Sequence, residues 1–242
     1  MSTLMLSLQN VSFAYPDGYQ ALDGVSFELA EGQTLGVVGA NGAGKSTLLL
    51  TLPGVLSPSA GEIYVRGRRV EKSSLAEIQR EVGLVFQDAD DQLFTASVRD
   101  DVAFGARNMG LGDATVDEAL TLTGIAHLAE RAPYKLSGGE KKLAAIASVL
   151  SMRPSLLVMD EPSSSLDPKA RRKIIELLSR LPQSKLIATH DLDLVWDMCD
   201  RVLVLRQGRV AADGDPRQIL SDQNLLEKCG LELPLRFAER TP

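Results

Sequence analysis

The sequence predicts an α/β fold in which helices surround a largely parallel sheet, with an N-terminal antiparallel β layer and an inserted α-helical lobe. Its main support is a set of short, mostly apolar runs, typical of strands buried on both faces, at 35–38, 156–159 and 186–189. Alternating apolar residues at Leu4–Leu8 and Val25–Leu29 predict two antiparallel strands before the first run. Residues 88–151 carry helical patterns, which predict the inserted lobe.

Residues 39–46 follow the first apolar run with the pattern G-x-x-x-x-G-K-S and lead into a predicted helix. Glycines leave the backbone N–H groups of such a loop open to phosphate oxygens. Lys45 would reach the terminal phosphates, and the Ser46 hydroxyl would bind Mg²⁺. The motif predicts a P-loop NTPase sheet rather than a glycine-rich turn that only joins strand to helix. The predicted ATP-binding residues are Gly39, Ala40, Asn41, Gly42, Ala43, Gly44, Lys45, Ser46 and Thr47.

Composition limits the class of protein further. The chain has 242 residues, a formal net charge of -6 and a pI near 5.1, so a broad basic face for nucleic acid is not expected. No run approaches the roughly 20 apolar residues of a membrane span, and the first residues lack a signal-like apolar block. We therefore expect a soluble, cytoplasmic protein that does not bind nucleic acid.

Tyr15 lies beside a predicted turn at Pro16-Asp17-Gly18, ahead of the P-loop. A ring close to the P-loop could stack on a purine, and such stacking contributes about 1–3 kcal/mol per base in nucleic-acid complexes. A turn aromatic that only covers the core is an equally good interpretation of this residue.

Three segments have the S/T-x-x-E pattern of a capped helix start, at Ser74, Thr115 and Ser137. The third lies in Leu136-Ser137-Gly138-Gly139-Glu140, where an amphipathic helix begins. Capping does not explain the two glycines, because each costs a helix roughly 0.8–1 kcal/mol relative to alanine. We therefore expect a phosphate to approach the bare N–H groups at this helix start.

Polar residues follow several predicted strands at their carboxyl ends, where α/β sheets bind ligands. Asp160 and Glu161 follow the second apolar run; Asp160 would enter a Mg²⁺ shell, and Glu161 would orient or deprotonate a water. Both could instead only cap the turn that follows. His190 ends the third run and could point at a γ-phosphate, although a lone histidine is usually a neutral hydrogen-bonding residue. Gln87 ends a further predicted strand at 82–86.

The ordered set of motifs resembles that of the ATPase subunit of an ATP-binding cassette (ABC) transporter. The resemblance covers residues 4–212 and rests on Walker A at 39–46, Gln87 in the Q-loop, LSGGE at 136–140, LLVMDE at 156–161, SLD at 165–167 and His190. The segments Asp90–Phe94, Asp101–Gly105 and Gly230–Pro234 resemble the energy-coupling-factor and cobalt-import branch. The chain departs from the commoner family pattern at Glu140-Lys141, Leu143 and Ser163–Ser165.

In this family two such domains sandwich two ATP molecules, with the P-loop of one facing the signature helix of the other. The resemblance implies ATP hydrolysis with Glu161, His190 and Gln87 as catalytic residues and with adenine stacked on Tyr15. It implies that Mg²⁺ is held by Ser46, Gln87 and Asp160. The signature residues that would meet the ATP of the partner subunit are Ser137, Gly138, Gly139 and Glu140, and Asp167 would contact that subunit.

The resemblance also implies one ABC ATPase domain over residues 1–242. Its parts would be a nucleotide-binding core at 1–87 and 152–212, a helical lobe with the signature at 88–151, and a C-terminal appendage at 213–242. Its implied partners are ATP, a second ATPase subunit in a homo- or heterodimer, and transmembrane subunits that hold it at the cytoplasmic face of the membrane. The branch implies import of cobalt or nickel ions or of a vitamin. A soluble ABC ATPase acting on DNA or ribosomes and a small-molecule P-loop kinase remain as alternatives.

Overall fold

The computed structural model describes residues 3–238, which form two compact units. The first unit contains the described residues up to Gln79 and those from Gln183 onwards, and the second runs from Arg80 to Pro182. The division into core, helical lobe and appendage stays a prediction. Among residues 3–238, no helix combines the length and the apolar character that a membrane span needs.

The first unit opens with the antiparallel layer that the alternating pattern predicts. Its first elements are β1 (Leu4–Ala14), β2 (Gln20–Ala30), β3 (Thr34–Val38), α1 (Lys45–Thr51), β4 (Ala60–Val65), β5 (Arg68–Arg69) and α2 (Leu75–Glu81), which ends just beyond the unit. β1 pairs antiparallel with both β2 and β4, giving the strand order β2-β1-β4-β5. Leu6 and Val11 of β1 are fully buried, which anchors the layer because burial of such a side chain contributes about 1.5–3 kcal/mol.

The main elements of the second unit are two strands and four α-helices: β6 (Val82–Val85), α3 (Val98–Asn108), α4 (Asp113–Leu122), α5 (Gly138–Leu150), β7 (Leu156–Asp160) and α6 (Pro168–Arg180). β6 and β7 pair in parallel, as their apolar runs predict. α5 packs against both α3 and α4 and buries an almost continuous apolar face that includes Leu143, Ile146 and Leu150. The signature helix is therefore the centre of this unit.

The capping boxes predicted at Ser74 and Thr115 are wrong. Thr115 lies inside α4, and its hydroxyl donates to the Gly112 carbonyl oxygen at 2.9 Å. Ser74 stands directly before α2, but its hydroxyl donates to the Arg69 carbonyl oxygen at 2.6 Å and accepts from the Glu71 N–H. In both places the hydroxyl bonds to nearby backbone groups, which compete with the capping arrangement.

The chain returns to the first unit with β8 (Ser184–Ala188), α7 (Leu192–Met198), β9 (Arg201–Arg206), β10 (Arg209–Gly214), α8 (Pro216–Ile219), α9 (Gln223–Lys228) and α10 (Leu235–Ala238). β3 lies between β8 and β9 and is parallel to both, while β10 pairs antiparallel with β9 as a hairpin. Every residue of β3 and β8 is buried. The apolar runs predicted at 35–38 and 186–189 thus form strands covered on both faces, with the buried Thr189 just beyond the end of β8.

Residues after β10 belong to the core of the first unit. Leu220, Leu226 and Cys229 are buried in one cluster with Val38 and Val195. The short helices α8, α9 and α10 all lie in this segment.

α10 is held on α7 by charges and by ring contacts. The Arg236 guanidinium donates to Asp193 at 2.8 Å and to Asp197 at 2.7 Å. The Phe237 ring meets the Trp196 ring edge-on, with 5.2 Å between their centroids. The C-terminal segment is therefore bound to the helix that follows His190.

Candidate functional site

The P-loop joins β3 to α1, and close backbone packing requires two of its glycines. An added Cβ would lie 2.5 Å from the Leu205 carbonyl oxygen at Gly39, and at Gly44 it would overlap the Ala21 carbonyl oxygen. Gly44 also has a φ of 103°, in the left-handed region that favours glycine. The loop is thus held in close contact with both β2 and β9.

The start of α1 has no side-chain cap, because its N-cap residue is Gly44. The Lys45 ammonium donates to the Gly39 carbonyl oxygen at 2.7 Å and to the Ala40 carbonyl oxygen at 3.3 Å. Ser46 is exposed at this helix start. Uncapped N–H groups with an ammonium beside them suit an anion, because the helix dipole favours negative charge at the same place.

Two tyrosines lie against the P-loop region. The hydroxyls of Tyr15 and Thr47 share a hydrogen bond of 3.0 Å, and the half-buried Tyr15 ring is perpendicular to the Phe13 ring, with 5.0 Å between their centroids. Tyr19, which sequence reasoning missed, is 51% exposed and donates its hydroxyl to the Gly42 carbonyl oxygen at 2.8 Å. Its ring lies 22° from parallel to that of Tyr15, with 6.4 Å between centroids. Tyr19 flanks the same Pro16–Gly18 turn as Tyr15, and this position in the sequence could have marked it as a second tyrosine near the P-loop.

His190 follows the strand next to the P-loop strand. β8 runs parallel to β3 with Ala188 opposite Val37, and the Thr189 N–H donates to the Val37 carbonyl oxygen at 3.0 Å. His190 is exposed at this edge of the sheet. The first unit therefore brings the P-loop and His190 to the carboxyl ends of adjacent parallel strands, where ligands bind in such sheets.

In the second unit, the parallel pairing of β6 and β7 brings Gln87 and Glu161 to the same edge of the sheet. Val85 pairs with Met159, so both residues stand two positions beyond the paired residues. Gln87 is exposed and Asp160 half-buried. The second unit therefore brings together three of the residues predicted to act on phosphate or water.

Glu161 occupies an unusual backbone conformation. It has a φ of 47° and is only 7% exposed. A non-glycine residue in this region costs on the order of 1–3 kcal/mol and persists only where its surroundings hold it. Here the Ser164 N–H and hydroxyl both donate to the Glu161 carbonyl oxygen, at 3.2 and 3.0 Å. Such strain is typical of functional sites.

The predicted capping box at the signature helix is confirmed. The Ser137 hydroxyl accepts from the Glu140 N–H, and Glu140 Oε2 accepts from the Ser137 N–H at 2.8 Å. Oε2 lies at the same distance from the Ser137 hydroxyl. These hydrogen bonds hold the pKa of Glu140 below its usual value, because they favour the ionised carboxylate.

The two signature glycines have different surroundings. An added Cβ at Gly138 would meet nothing within 4 Å, whereas at Gly139 it would lie 2.8 Å from the Cβ of Ala170 on α6. Asp167 caps that same helix and accepts from the Lys169 and Ala170 N–H groups at 2.9 and 3.0 Å. Close packing against Ala170 therefore explains the glycine at position 139. The sequence predicts that both glycines leave space for a phosphate, and only Gly138 has that open space.

Comparisons with known proteins agree with this architecture. The family described as ABC transporter matches residues 22–164. EcfA, the energy-coupling factor transporter ATP-binding protein of Carboxydothermus hydrogenoformans, is 46% identical over 96% of this chain and 88% of its own length. GSU1281 of Geobacter sulfurreducens is 51% identical over 97% of this chain and 96% of its own length. Its name describes it as an ABC transporter ATP-binding protein.

A solved structure extends the comparison to the fold. CbiO1 of Clostridium perfringens, described as part of the ABC transporter complex CbiONQ, is similar with a TM-score of 0.83 and 38% identity, over 98% of this chain and 97% of its own.

The fold and the comparisons together define an ATP-binding ATPase with a P-loop. More narrowly, the chain belongs to the family of ABC transporter ATP-binding proteins and is an ABC ATPase.

Proposed function

We propose that this chain hydrolyses ATP to energise a membrane importer of the energy-coupling-factor type, which takes up cobalt or nickel ions or a vitamin. The observation that carries the proposal is the near full-length similarity to EcfA and to CbiO1. The chain would work as one of two ATPase subunits, in a homo- or heterodimer, bound to transmembrane subunits at the cytoplasmic face of the membrane.

ATP binding is assigned to the P-loop and to Tyr15. The uncapped start of α1 and the Lys45 ammonium would hold the phosphates, and the half-buried Tyr15 ring would stack on adenine. Ser46, Gln87 and Asp160 are the proposed Mg²⁺ ligands; they offer hydroxyl, amide and carboxylate oxygens, the hard donors that this ion prefers. Bound Mg²⁺ would neutralise charge that develops on the phosphates.

Hydrolysis is assigned to three side chains at strand ends. Glu161 would accept a proton from the attacking water, and its constrained backbone would hold the carboxylate in place. His190 would contact the γ-phosphate and steady the water, and Gln87 would assist from the end of β6. In the dimer, the start of α5 with Ser137, Gly138, Gly139 and Glu140 would meet the ATP of the partner subunit, and Asp167 would contact that subunit.

The test is purification of the tagged chain, in mild detergent, from the cells that produce it. We expect membrane-embedded subunits and a second ATPase subunit to copurify with ATPase activity. Glu161→Gln is the matched control, because it should recover the same subunits without turnover if docking does not need hydrolysis. Recovery with ribosomes or DNA and without membrane subunits would contradict the proposal.

A further inference from the structure

Lys142 is a buried lysine that the proposed mechanism does not use. It lies on α5, one helical turn after Gly138, and is 4% exposed. Its Nζ donates to the Gln87 carbonyl oxygen at 2.5 Å and lies 3.4 Å from that of Phe86 and 3.5 Å from that of Glu161. One ammonium group therefore joins the signature helix to the backbone at the ends of β6 and β7.

The positive charge of Lys142 needs an explanation. An ammonium loses its hydration on burial, and within the part of the chain that the structure describes its hydrogen-bond partners are these carbonyl groups alone. Desolvation lowers the pKa of Lys142, whereas the carboxylates of Asp88, Asp160 and Glu161 act in the opposite direction. An apolar side chain at position 142 would avoid the cost of removing an ammonium from water. Leu143, at the next position, is equally buried and is apolar.

We propose that Lys142 is a positioning residue for hydrolysis, which sets the spacing between the Gln87 and Glu161 backbones and ties both to the signature helix. The inference rests on the proposed roles of Gln87 and Glu161. Catalysis is sensitive to small displacements of a general base, so a clamp on its backbone affects turnover more than ATP binding.

The geometry favours this role over simple loop packing. Gln87 and Glu161 stand at equal positions beyond paired residues of β6 and β7, so one donor can reach both carbonyls. Glu161 is held at a φ of 47°, a conformation that needs outside support. Gly138 and Lys142 are four residues apart and lie on the same face of α5. A shift of this helix, when its start meets phosphate, would therefore move the Lys142 ammonium against its carbonyl partners.

The experiment compares three variants of the full-length ATPase. Lys142→Met keeps length and removes the charge, and we expect kcat to fall about tenfold or more with KM for ATP changed less than about threefold. Lys142→Arg keeps the donors and should restore most of the rate. Lys141→Met is the matched control: Lys141 directly precedes Lys142 and pairs with Asp90 at 2.6 Å, so its loss should leave kcat unchanged. Thermal unfolding of all three checks that the fold survives.

A double-mutant cycle with Glu161→Gln separates a positioning role from general damage. If Lys142 acts through Glu161, Lys142→Met should lower the residual rate of Glu161→Gln by less than about twofold. If the two defects are independent, the fold-losses in rate of the two single variants should multiply. A Lys142→Met enzyme within twofold of the wild-type rate, or equal losses in the methionine and arginine variants, would overturn the inference. Wild-type turnover in Glu161→Gln itself would instead remove the proposed role of Glu161.

Discussion

The two helix starts that the sequence marks for phosphate, at α1 and at α5, are built in opposite ways. α1 has Gly44 as its N-cap, so no side chain of its own satisfies the first N–H groups. α5 has Ser137 as its N-cap and a complete capping box in which Ser137 and Glu140 satisfy each other. The same glycine-rich pattern can therefore mark an open anion site or a helix start that is already satisfied.

This difference suggests that the two helix starts have different roles in phosphate binding. The α1 start needs an outside anion to complete its hydrogen bonds, which suits a primary binding site. The α5 start keeps its shape through its own side chains and adds the open backbone at Gly138, so it is preorganised to meet a ligand that is already held elsewhere.

Glu161→Gln touches neither helix start and should have the largest effect. The change keeps size and hydrogen bonding but removes the proton acceptor, so hydrolysis should fall by a factor on the order of 10²–10⁴. ATP affinity should stay within a few-fold, and closed dimers should accumulate because the step that opens them is lost. Single-turnover hydrolysis and equilibrium ATP binding measure the two effects. A near wild-type rate with Mg²⁺ present would make His190 the leading candidate for the base.

Lys45→Ala attacks the α1 start directly. The ammonium supplies a fixed positive charge next to backbone N–H groups, and charged hydrogen bonds of this kind contribute about 1.5–3 kcal/mol each. We therefore expect ATP affinity to fall about 100-fold, as measured by binding of a fluorescent ATP analogue. Because Lys45 also donates to Gly39 and Ala40, thermal unfolding serves as the control. Affinity within a few-fold of wild type would show that the N–H groups suffice.

Aspartate at each signature glycine tests the α5 start. Gly138→Asp meets open space, so it should leave the fold intact while its charge repels phosphate and prevents ATP-driven dimers, seen by light scattering. Gly139→Asp should lose stability by roughly 1–3 kcal/mol as well, because its Cβ overlaps that of Ala170. Ala170→Gly should recover part of that loss when compared with its own single variant. ATP-dependent dimers in Gly138→Asp would remove the signature from the interface.

Ser137→Ala should have the smallest effect, a loss of about 1 kcal/mol of stability from the capping box. The pH dependence of this stability loss tests whether Glu140 takes part in the capping box. The folded-state pKa of Glu140 lies below its usual value of 4.5, so its stabilisation is present above that value and is lost as pH falls through the lowered pKa. The deficit of Ser137→Ala in urea unfolding should therefore be full at pH 7 and shrink in acid. An equal deficit at all pH values would mean that Glu140 takes no part.

Strands were predictable wherever burial on both faces leaves an apolar run, as at β3, β7 and β8. Capping was less predictable because S/T-x-x-E is a short local pattern: it forms at Ser137, but at Thr115 a hydroxyl bonds to a carbonyl of the preceding turn instead. The S/T-x-x-E motif alone does not determine whether a helix begins at its first residue.

Contacts that join distant parts of the chain were not predictable from motifs. Nothing in the sequence places Ala170 against Gly139, or the Lys142 ammonium against the carbonyls of Gln87 and Glu161. The residue types at the candidate site follow from the motifs, whereas the close contacts that require glycine at positions 39, 44 and 139 follow only from packing. The roles of the site residues themselves stay predictions that the variants above test.

The docking of α10 on α7 gives the chain its own optical probe. Trp196 is its single tryptophan, and its indole touches Phe237 and lies under the guanidinium groups of Arg217 and Arg236. Release of the C-terminal helix would expose the indole to water and shift its emission to longer wavelength without any added label. Because α7 begins two residues after His190, stopped-flow fluorescence of Trp196 can time motions of this region against the release of phosphate.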